Sequence, residues 1–336
     1  MIRIALIGYG YWGPNLARNL SDGSRFELVA IVDVRPDRQR EAARRYPQVN
    51  VYGDVGSVMA RDDVEAVVVA TPLHTHHDIA GTAIDGGRHV LVEKPLAASR
   101  EEAEDLIERA ERRGVQVMVD HTFVYTGAVR KIRSVITSGE LGTLHYLDSV
   151  RINLGLFQHD SNVIWDLAAH DLAIMDYLVD ERPVAISALG GAVAGFDHES
   201  IAYVTAHFNS GFIAHFHVNW LAPVKIRQML LGGRQRMIVY DELAPSDKIR
   251  VYDKGVEFDV ADDEARRRIL VSYRTGDMYA PRIDRREALA LVTEEFASAI
   301  TEDRTPLTGA AGGLRVVTML EAAQRSLREQ GRRIPL

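Results

Sequence analysis

The chain reads as an α/β domain on a doubly wound parallel sheet, followed by an α+β domain on a large, mostly antiparallel open sheet. Continuous apolar runs alternate with amphipathic segments from Ile2 to Val119, the pattern of parallel strands covered on both faces by helices. The first run breaks directly into Gly8-Tyr9-Gly10-Tyr11-Trp12-Gly13. Beyond about residue 121 the pattern changes to β-rich segments punctuated by turns such as Asn209-Ser210-Gly211, which suits hairpins.

Ile2–Ile7 is predicted to be a buried strand, and the glycines after it each meet a separate requirement. Gly8 permits a sharp turn, Gly10 lets the backbone approach a pyrophosphate, and Gly13 lets the following helix pack close to the strand. Tyr11 and Trp12, within the same loop, are counted as cofactor contacts. Pro14 suits a helix's first turn, whose free amides and positive dipole end attract phosphate. The second strand, Phe26–Val32, ends at Asp33, twenty positions after Gly13, where a ribose-binding acid is expected. This context raises the glycine motif to the dinucleotide fingerprint of a Rossmann domain. Asp33 would accept hydrogen bonds from both ribose hydroxyls and repel a 2′-phosphate, so NAD is favoured over NADP. Arg35 opposes that preference, since its guanidinium could pair with a 2′-phosphate or lie on the adenine face.

A polar helix at about Pro36–Tyr46 follows, then strands Val49–Val51 and Val64–Ala70, the latter ending at Thr71-Pro72. Helix Thr75–Gly86, strand His89–Val92, Glu93-Lys94-Pro95, helix Ser99–Gly114 and strand Val115–Val119 complete the domain. Ser99-x-x-Glu102 is a capping box. The strands end at Gly8, Asp33, Thr71, Glu93 and His121, and the ligand belongs beyond those ends. Residues 1–121 form the cofactor domain and 122–336 a substrate-binding and oligomerisation domain. The latter opens with helix Ala128–Ser138, strand Leu144–Asn153 and helix Trp165–Leu178. Strands Val184–Ala192, Ile201–Asn209, Phe212–Trp220, Arg227–Leu231 and Arg236–Tyr240 follow, and helices near Arg285–Thr301 and Gly312–Gln330 end the chain.

With 336 residues, 46% hydrophobic and 26% charged, there is enough chain for two cores. A net charge of −7 without a basic stretch argues against nucleic acid. The absence of cysteine excludes disulfides, thiolate metal sites and a cysteine nucleophile. No apolar segment approaches the about eighteen residues that span a bilayer, and no secretory signal is read, so a cytoplasmic enzyme without membrane partners is expected.

Two constellations carry chemistry. Lys94, at a strand's carboxyl end, can donate to a substrate oxygen beside a nicotinamide and stabilise developing alkoxide; in isolation Glu93-Lys94-Pro95 is an ordinary surface turn. In Trp165-Asp166-Leu167-Ala168-Ala169-His170-Asp171, Asp166 and His170 stand four apart and share a helix face. A histidine there can take the proton of a secondary alcohol as hydride leaves, and the carboxylate can orient it or bind a neighbouring hydroxyl. The bland alternative is a helix-face ion pair. Trp165 joins the cofactor candidates. His74, His76 and His77 form a dense group lacking a downstream ligand at metal spacing, so no metal is expected. They are read as a loop and helix start beside the cofactor, with His74 and His77 as contacts. His121, Tyr125, Arg151 and Asn153 are candidate substrate groups; like Lys225 and Arg227, each taken singly fits a structural role better than a catalytic one.

With the glycine fingerprint, Asp33, Ala70-Thr71-Pro72, Glu93-Lys94-Pro95 and Asp166-x-x-x-His170 in order, the chain resembles the Gfo/Idh/MocA oxidoreductases over nearly its whole length. The resemblance implies a catalytic set of Lys94, Asp166 and His170, with His170 as acid/base, and a cis Lys94-Pro95 bond. It also implies a second domain used for substrate binding and for a homodimer or homotetramer. Asp120 stands where similar members often have Gly. It reads either as a carboxylate for a cationic substrate such as an amino sugar or as a solvated turn residue. The expected activity is NAD-dependent oxidation of a ring secondary hydroxyl of a nucleotide sugar, amino sugar or aminoglycoside sugar. The rivals are an NADPH-dependent ketosugar reductase of deoxysugar or antibiotic biosynthesis and a non-catalytic dinucleotide-binding regulator.

Overall fold

The structure, a computed structural model, describes residues 1–155, 161–193, 195–258 and 271–336. It divides into two units, Met1–Thr126 with Arg286–Glu321, and Gly127–Arg285 with Ala322–Leu336.

The first unit runs β1 (Ile2–Ile7), α1 (Gly13–Asp22), β2 (Phe26–Val32), α2 (Pro36–Arg45), β3 (Asn50–Tyr52), α3 (Gly56–Met59), β4 (Ala66–Val69), α4 (His76–Asp85), β5 (His89–Glu93), α5 (Arg100–Arg113) and β6 (Val117–Asp120). Its six strands lie in the order β3-β2-β1-β4-β5-β6, all parallel. The order reverses between β1 and β4, and that reversal opens the crevice in which such sheets bind ligands. The β-branched and aliphatic runs of β1, β4 and β5 are buried because helices cover both faces. At the start of α5, Ser99 Oγ accepts from the Glu102 amide at 3.1 Å, while Glu102 Oε2 accepts from the Ala98 amide at 2.9 Å. The reciprocal bond therefore falls one residue before the cap.

The compact units divide the chain differently from the boundary expected at residue 121. The first unit continues to Thr126, and it takes back residues 286–321 from the far end of the chain. Helix Ala288–Thr301 supplies the reason, since its buried Phe296 stacks on Phe26 of β2 with ring centroids 6.0 Å apart. Before that helix, Glu287 accepts from both Arg18 guanidinium nitrogens at 2.6 and 3.0 Å and from Asn19 of α1 at 3.3 Å.

The second unit contains α6 (Gly127–Thr137), β7 (Leu144–Leu154), a π-helical turn at Ile164–Ala168, α7 (Ala169–Leu178), β8 (Ala185–Ala192), β9 (Glu199–His207), β10 (Ile213–Asn219), β11 (Leu221–Gly233), β12 (Met237–Asp241), β13 (Ile249–Phe258), β14 (Val271–Tyr279) and β15 (Ile334–Pro335). The nine strands lie in the order β14-β13-β12-β11-β7-β10-β9-β8-β15, antiparallel except where β10 meets β7. Alternation along β9 and β10 buries Ala202, Val204, Ala206, Ala214, Phe216 and Val218 on one face. Strands β13 and β14 escaped the sequence reading because charged and apolar residues mix in them without a continuous hydrophobic run.

Phe296→Ala is expected to cost about 3–5 kcal/mol, the range for emptying a buried aromatic site. Urea unfolding followed through the first unit measures it; a loss near zero would place this helix outside that unit's core.

Candidate active site

The glycine loop has the steric profile its sequence implied. Gly8 has φ of +99°, and a Cβ there would collide with the Ala70 carbonyl at the end of β4. A Cβ on Gly13 would stand 2.7 Å from the Gly8 carbonyl oxygen, so α1 packs this close to β1 only with glycine. At Gly10 the nearest neighbour of an added Cβ is an Arg35 guanidinium nitrogen, 3.5 Å away. The backbone there is open, as a cradle for a pyrophosphate must be. Tyr11 and Trp12 lie exposed beside it.

Asp33 is 7% exposed. Its Oδ2 accepts the Tyr9 amide at 2.8 Å, and its Oδ1 accepts the Arg35 amide at 2.9 Å and Arg35 Nε at 3.2 Å. Burial works to raise its pKa, but the bonds from Arg35 and Tyr9 outweigh it and hold the carboxyl below its usual range. Asp33 thus fastens the glycine loop to β2 and carries its own counter-ion.

At the neighbouring strand ends, Thr71 Oγ1 accepts from Thr75 Oγ1 at 2.7 Å, and the Lys94-Pro95 bond is cis. His76 links these two segments. Its buried ring places Nδ1 2.9 Å from the Pro95 carbonyl oxygen and Nε2 2.9 Å from the Thr71 carbonyl oxygen. Burial pushes its pKa down although both carbonyls pull it up, and a neutral ring donates to only one of them. Sequence reasoning favoured His74 and His77 instead. His74 is exposed on a 3-10 turn, Leu73–Thr75. His77 has its Nε2 2.7 Å from Asp105 of α5, which also accepts Arg109 Nε at 2.7 Å. One residue along a helix turns a side chain by about 100°, so His76 faces the strand ends and His77 the next helix.

Glu93 and Asp120 pair in register at the ends of β5 and β6. Asp120 is the last residue of a strand and 2% exposed, which corrects its reading as a solvated turn residue. His121, just beyond, is also buried. Tyr125, expected among the substrate contacts, is 2% exposed, and its hydroxyl is 3.0 Å from Thr308 Oγ1, which itself donates to the Val119 carbonyl at 2.7 Å. These bonds fasten residues 286–321 to β6.

In the second unit, residues 163–175 are buried except for Trp165, Asp166 and His170. All three lie on the π-helical turn or the first turn of α7, and such turns are frequent at functional sites. Asn162 shapes the turn, its Oδ1 accepting the Ile164 and Trp165 amides at 3.1 and 3.3 Å. Trp220, 1% exposed, donates Nε1–H to Asp166 Oδ2 at 2.9 Å and so orients that carboxylate from a distant strand end. Neither Asn162 nor Trp220 carries a local sequence signal.

Arg151, expected to meet substrate, is 3% exposed and pairs with Asp171 through Nε at 3.0 and 3.1 Å and Nη2 at 2.7 Å. Its Nη1 reaches Glu242 at 3.4 Å, and Glu242 also accepts Arg227 at 2.5 Å. The role this supports is to tie α7 to the sheet one residue past His170. Asn153, near the end of β7, remains half-exposed. Lys225 and Arg227 line an open cavity of about 500 Å³ with Gln228, Asp241 and Arg250.

With this geometry in view, comparison with known proteins is decisive at the family level. The model for the Gfo/Idh/MocA oxidoreductase family, NAD-binding Rossmann fold, matches residues 2–121, and that for the family's C-terminal domain matches residues 129–240. The chain belongs to the Gfo/Idh/MocA oxidoreductases. Residues 2–121 of its first unit are the family's NAD-binding domain, and the open glycine loop with Asp33 fits that cofactor. UDP-N-acetylglucosamine 3-dehydrogenase of Acidithiobacillus ferrooxidans is 27% identical over 319 residues, 94% of each chain. Its structure superposes with a TM-score of 0.81 over 98% of both chains. A dehydrogenase of Comamonas testosteroni acting on 1-carboxy-3-chloro-3,4-dihydroxycyclohexa-1,5-diene is 27% identical over 70% of this chain, which spans 66% of that relative. GenD2 from gentamicin A biosynthesis, crystallised with NAD, has the same fold, with a TM-score of 0.84 and 24% identity over 100% of this chain and 96% of its own.

Arg151→Ala leaves Asp171 buried without its partner and is expected to cost about 3–5 kcal/mol, whereas replacing both residues by apolar ones of similar volume recovers most of that. Chemical denaturation without any ligand is the measurement, and an unchanged midpoint in Arg151→Ala would return Arg151 to the substrate candidates.

Proposed function

We propose that this oxidoreductase converts a secondary hydroxyl on a sugar ring to a ketone with NAD as oxidant, the ring belonging to a nucleotide sugar, an amino sugar or an aminoglycoside. The observation that carries the reading is the exposure pattern of residues 163–175, which leaves Trp165, Asp166 and His170 reachable on an otherwise buried segment. Support for a sugar ring comes from relatives that act on one, at identities that leave the particular sugar open.

Gly8, Gly10, Gly13, Tyr11 and Trp12 are assigned to the pyrophosphate loop, Asp33 to the ribose, and Thr71, Pro72, Glu93 and Lys94 to the nicotinamide end. The nicotinamide, when bound, supplies a hydride acceptor. His170 takes the hydroxyl proton as general base, and the Lys94 ammonium donates to the same oxygen as negative charge builds on it. Asp166, oriented by Trp220, steadies the imidazole or binds an adjacent hydroxyl. His121 and Asn153 are kept as substrate contacts.

The NADPH-dependent ketosugar reductase has one observation in its favour. Arg35 already sits on Asp33 beside Gly10, which offsets the charge that would repel a 2′-phosphate. We also assign the outer face of the nine-stranded sheet, where Leu189, Tyr203, Ile213 and Leu230 are exposed, to contact with a second copy of the chain.

Lys94→Ala and His170→Ala should each lower kcat by about 10²–10⁴-fold while NAD binding, read by fluorescence titration, persists. Full activity in either would remove the assigned role. A panel of nucleotide sugars, amino sugars and aminoglycosides, scored for NADH formation, identifies the substrate class; tight NAD binding without turnover on any of them would favour a regulator. Asp33→Ala should shift the NAD:NADP preference toward NADP by about tenfold, or ~1.4 kcal/mol, in competitive titration.

A further inference from the structure

The carboxyl pair at the ends of β5 and β6, with Asp120 buried and Glu93 half-buried, has no step in the chemistry proposed above, where Glu93 is only placed at the nicotinamide end. Glu93 and Asp120 are register partners on adjacent parallel strands, so their side chains leave the sheet on the same side. Asp120 Oδ1 accepts from Thr122 Oγ1 at 2.6 Å. Its Oδ2 is buried, and no N–H or alcohol hydroxyl of the described residues reaches it; the group beside it is the Glu93 carboxyl. Glu93 Oε2 in turn accepts the Lys94 amide at 3.3 Å.

Two carboxylates in that place would repel each other and leave Oδ2 without a donor. One proton removes both costs, since a neutral Glu93 can donate to Asp120 Oδ2. We propose that Glu93 is a neutral acid at physiological pH, that its proton is shared with Asp120, and that the pair, carrying a single negative charge, positions Lys94. Burial raises both pKa values; Glu93 is pushed furthest, well above the usual range, because the Asp120 charge adds to burial, while the Lys94 charge pulls both back. The other titratable groups around the pair are His121 beside Asp120, Tyr125 on the 3-10 turn Thr122–Tyr125, and His76 of α4, which holds the Pro95 carbonyl. Glu93 and Asp120 act here through Lys94 and are positioning residues. Only that last step rests on the proposed role of Lys94.

A carboxyl whose pKa is raised on folding contributes its stability fully below the ordinary glutamate value of about 4.3 and loses it as pH rises through the folded value. The wild-type melting temperature should therefore fall toward alkaline pH. In Glu93→Gln, whose amide can donate to Asp120 Oδ2 and still accept from Lys94, that fall should be absent.

The deciding measurement is difference infrared spectroscopy of the full chain at neutral pH without substrate. A protonated-carboxyl C=O band is expected in the wild type and should vanish in Glu93→Gln. It should vanish also in Asp120→Asn, where the new amide donates and Glu93 ionises. In that variant kcat should fall several-fold with the dinucleotide KM unchanged. Absence of the band from the wild type, or its persistence in either variant, overturns the shared proton. The band without dehydrogenase activity in any panel assay would instead count against the proposed function and leave the pair standing. An Asp120→Asn enzyme with unaltered kcat overturns the positioning of Lys94.

Discussion

A parallel sheet delivers the carboxyl ends of all its strands to one edge, and here that edge depends on three backbones approaching closer than any side chain permits. Gly8 lies against the Ala70 carbonyl and Gly13 against the carbonyl of Gly8, so β1, β4 and α1 meet at the point where the strand order reverses. Everything assigned to the cofactor stands on this junction. Asp33 is fastened to it through the Tyr9 amide, Thr71 follows directly from β4, and His76 links the Thr71 and Pro95 carbonyls. A side chain at Gly8 would displace β4 and with it the segments leading to Lys94.

The second unit meets a different constraint. Its π-helical turn and the first turn of α7 present three side chains while the surrounding residues stay buried, so the segment needs anchoring that does not come from its own exposed face. Arg151 and Asp171 provide one anchor as an ion pair inside the fold, Asn162 provides another through the turn amides, and Trp220 fixes Asp166. Burying charge is costly unless every polar atom finds a partner, which is why Glu242 and Arg227 extend the network. The result is a segment around His170 held by side chains from β7, α7 and the residue after β10.

The same distinction separates residue type from the partner that tertiary structure supplies. Arg151, Tyr125 and His77 carry the side chains that bind sugars and cofactors, and they lie close in sequence to residues that face the strand ends or the π-helical turn. Each is instead consumed by a neighbour from elsewhere in the chain: Asp171, Thr308 and Asp105. His76 was passed over in favour of the histidines on either side, although helix rotation alone separates their directions.

Local pattern was sufficient wherever the physics is local. The six strands of the first unit, the steric roles of Gly8 and Gly13 and the acid at the end of β2 all follow from side-chain size, periodicity and spacing within a few turns. Tertiary structure alone decided what depends on long-range burial. It returned helix Ala288–Thr301 to the first unit through Phe296 on Phe26, because an uncovered apolar face takes whichever segment fits it, wherever that lies in the chain. It also set Asp120 beside Glu93, a register contact between strands separated by a whole helix, and buried Asp120 there.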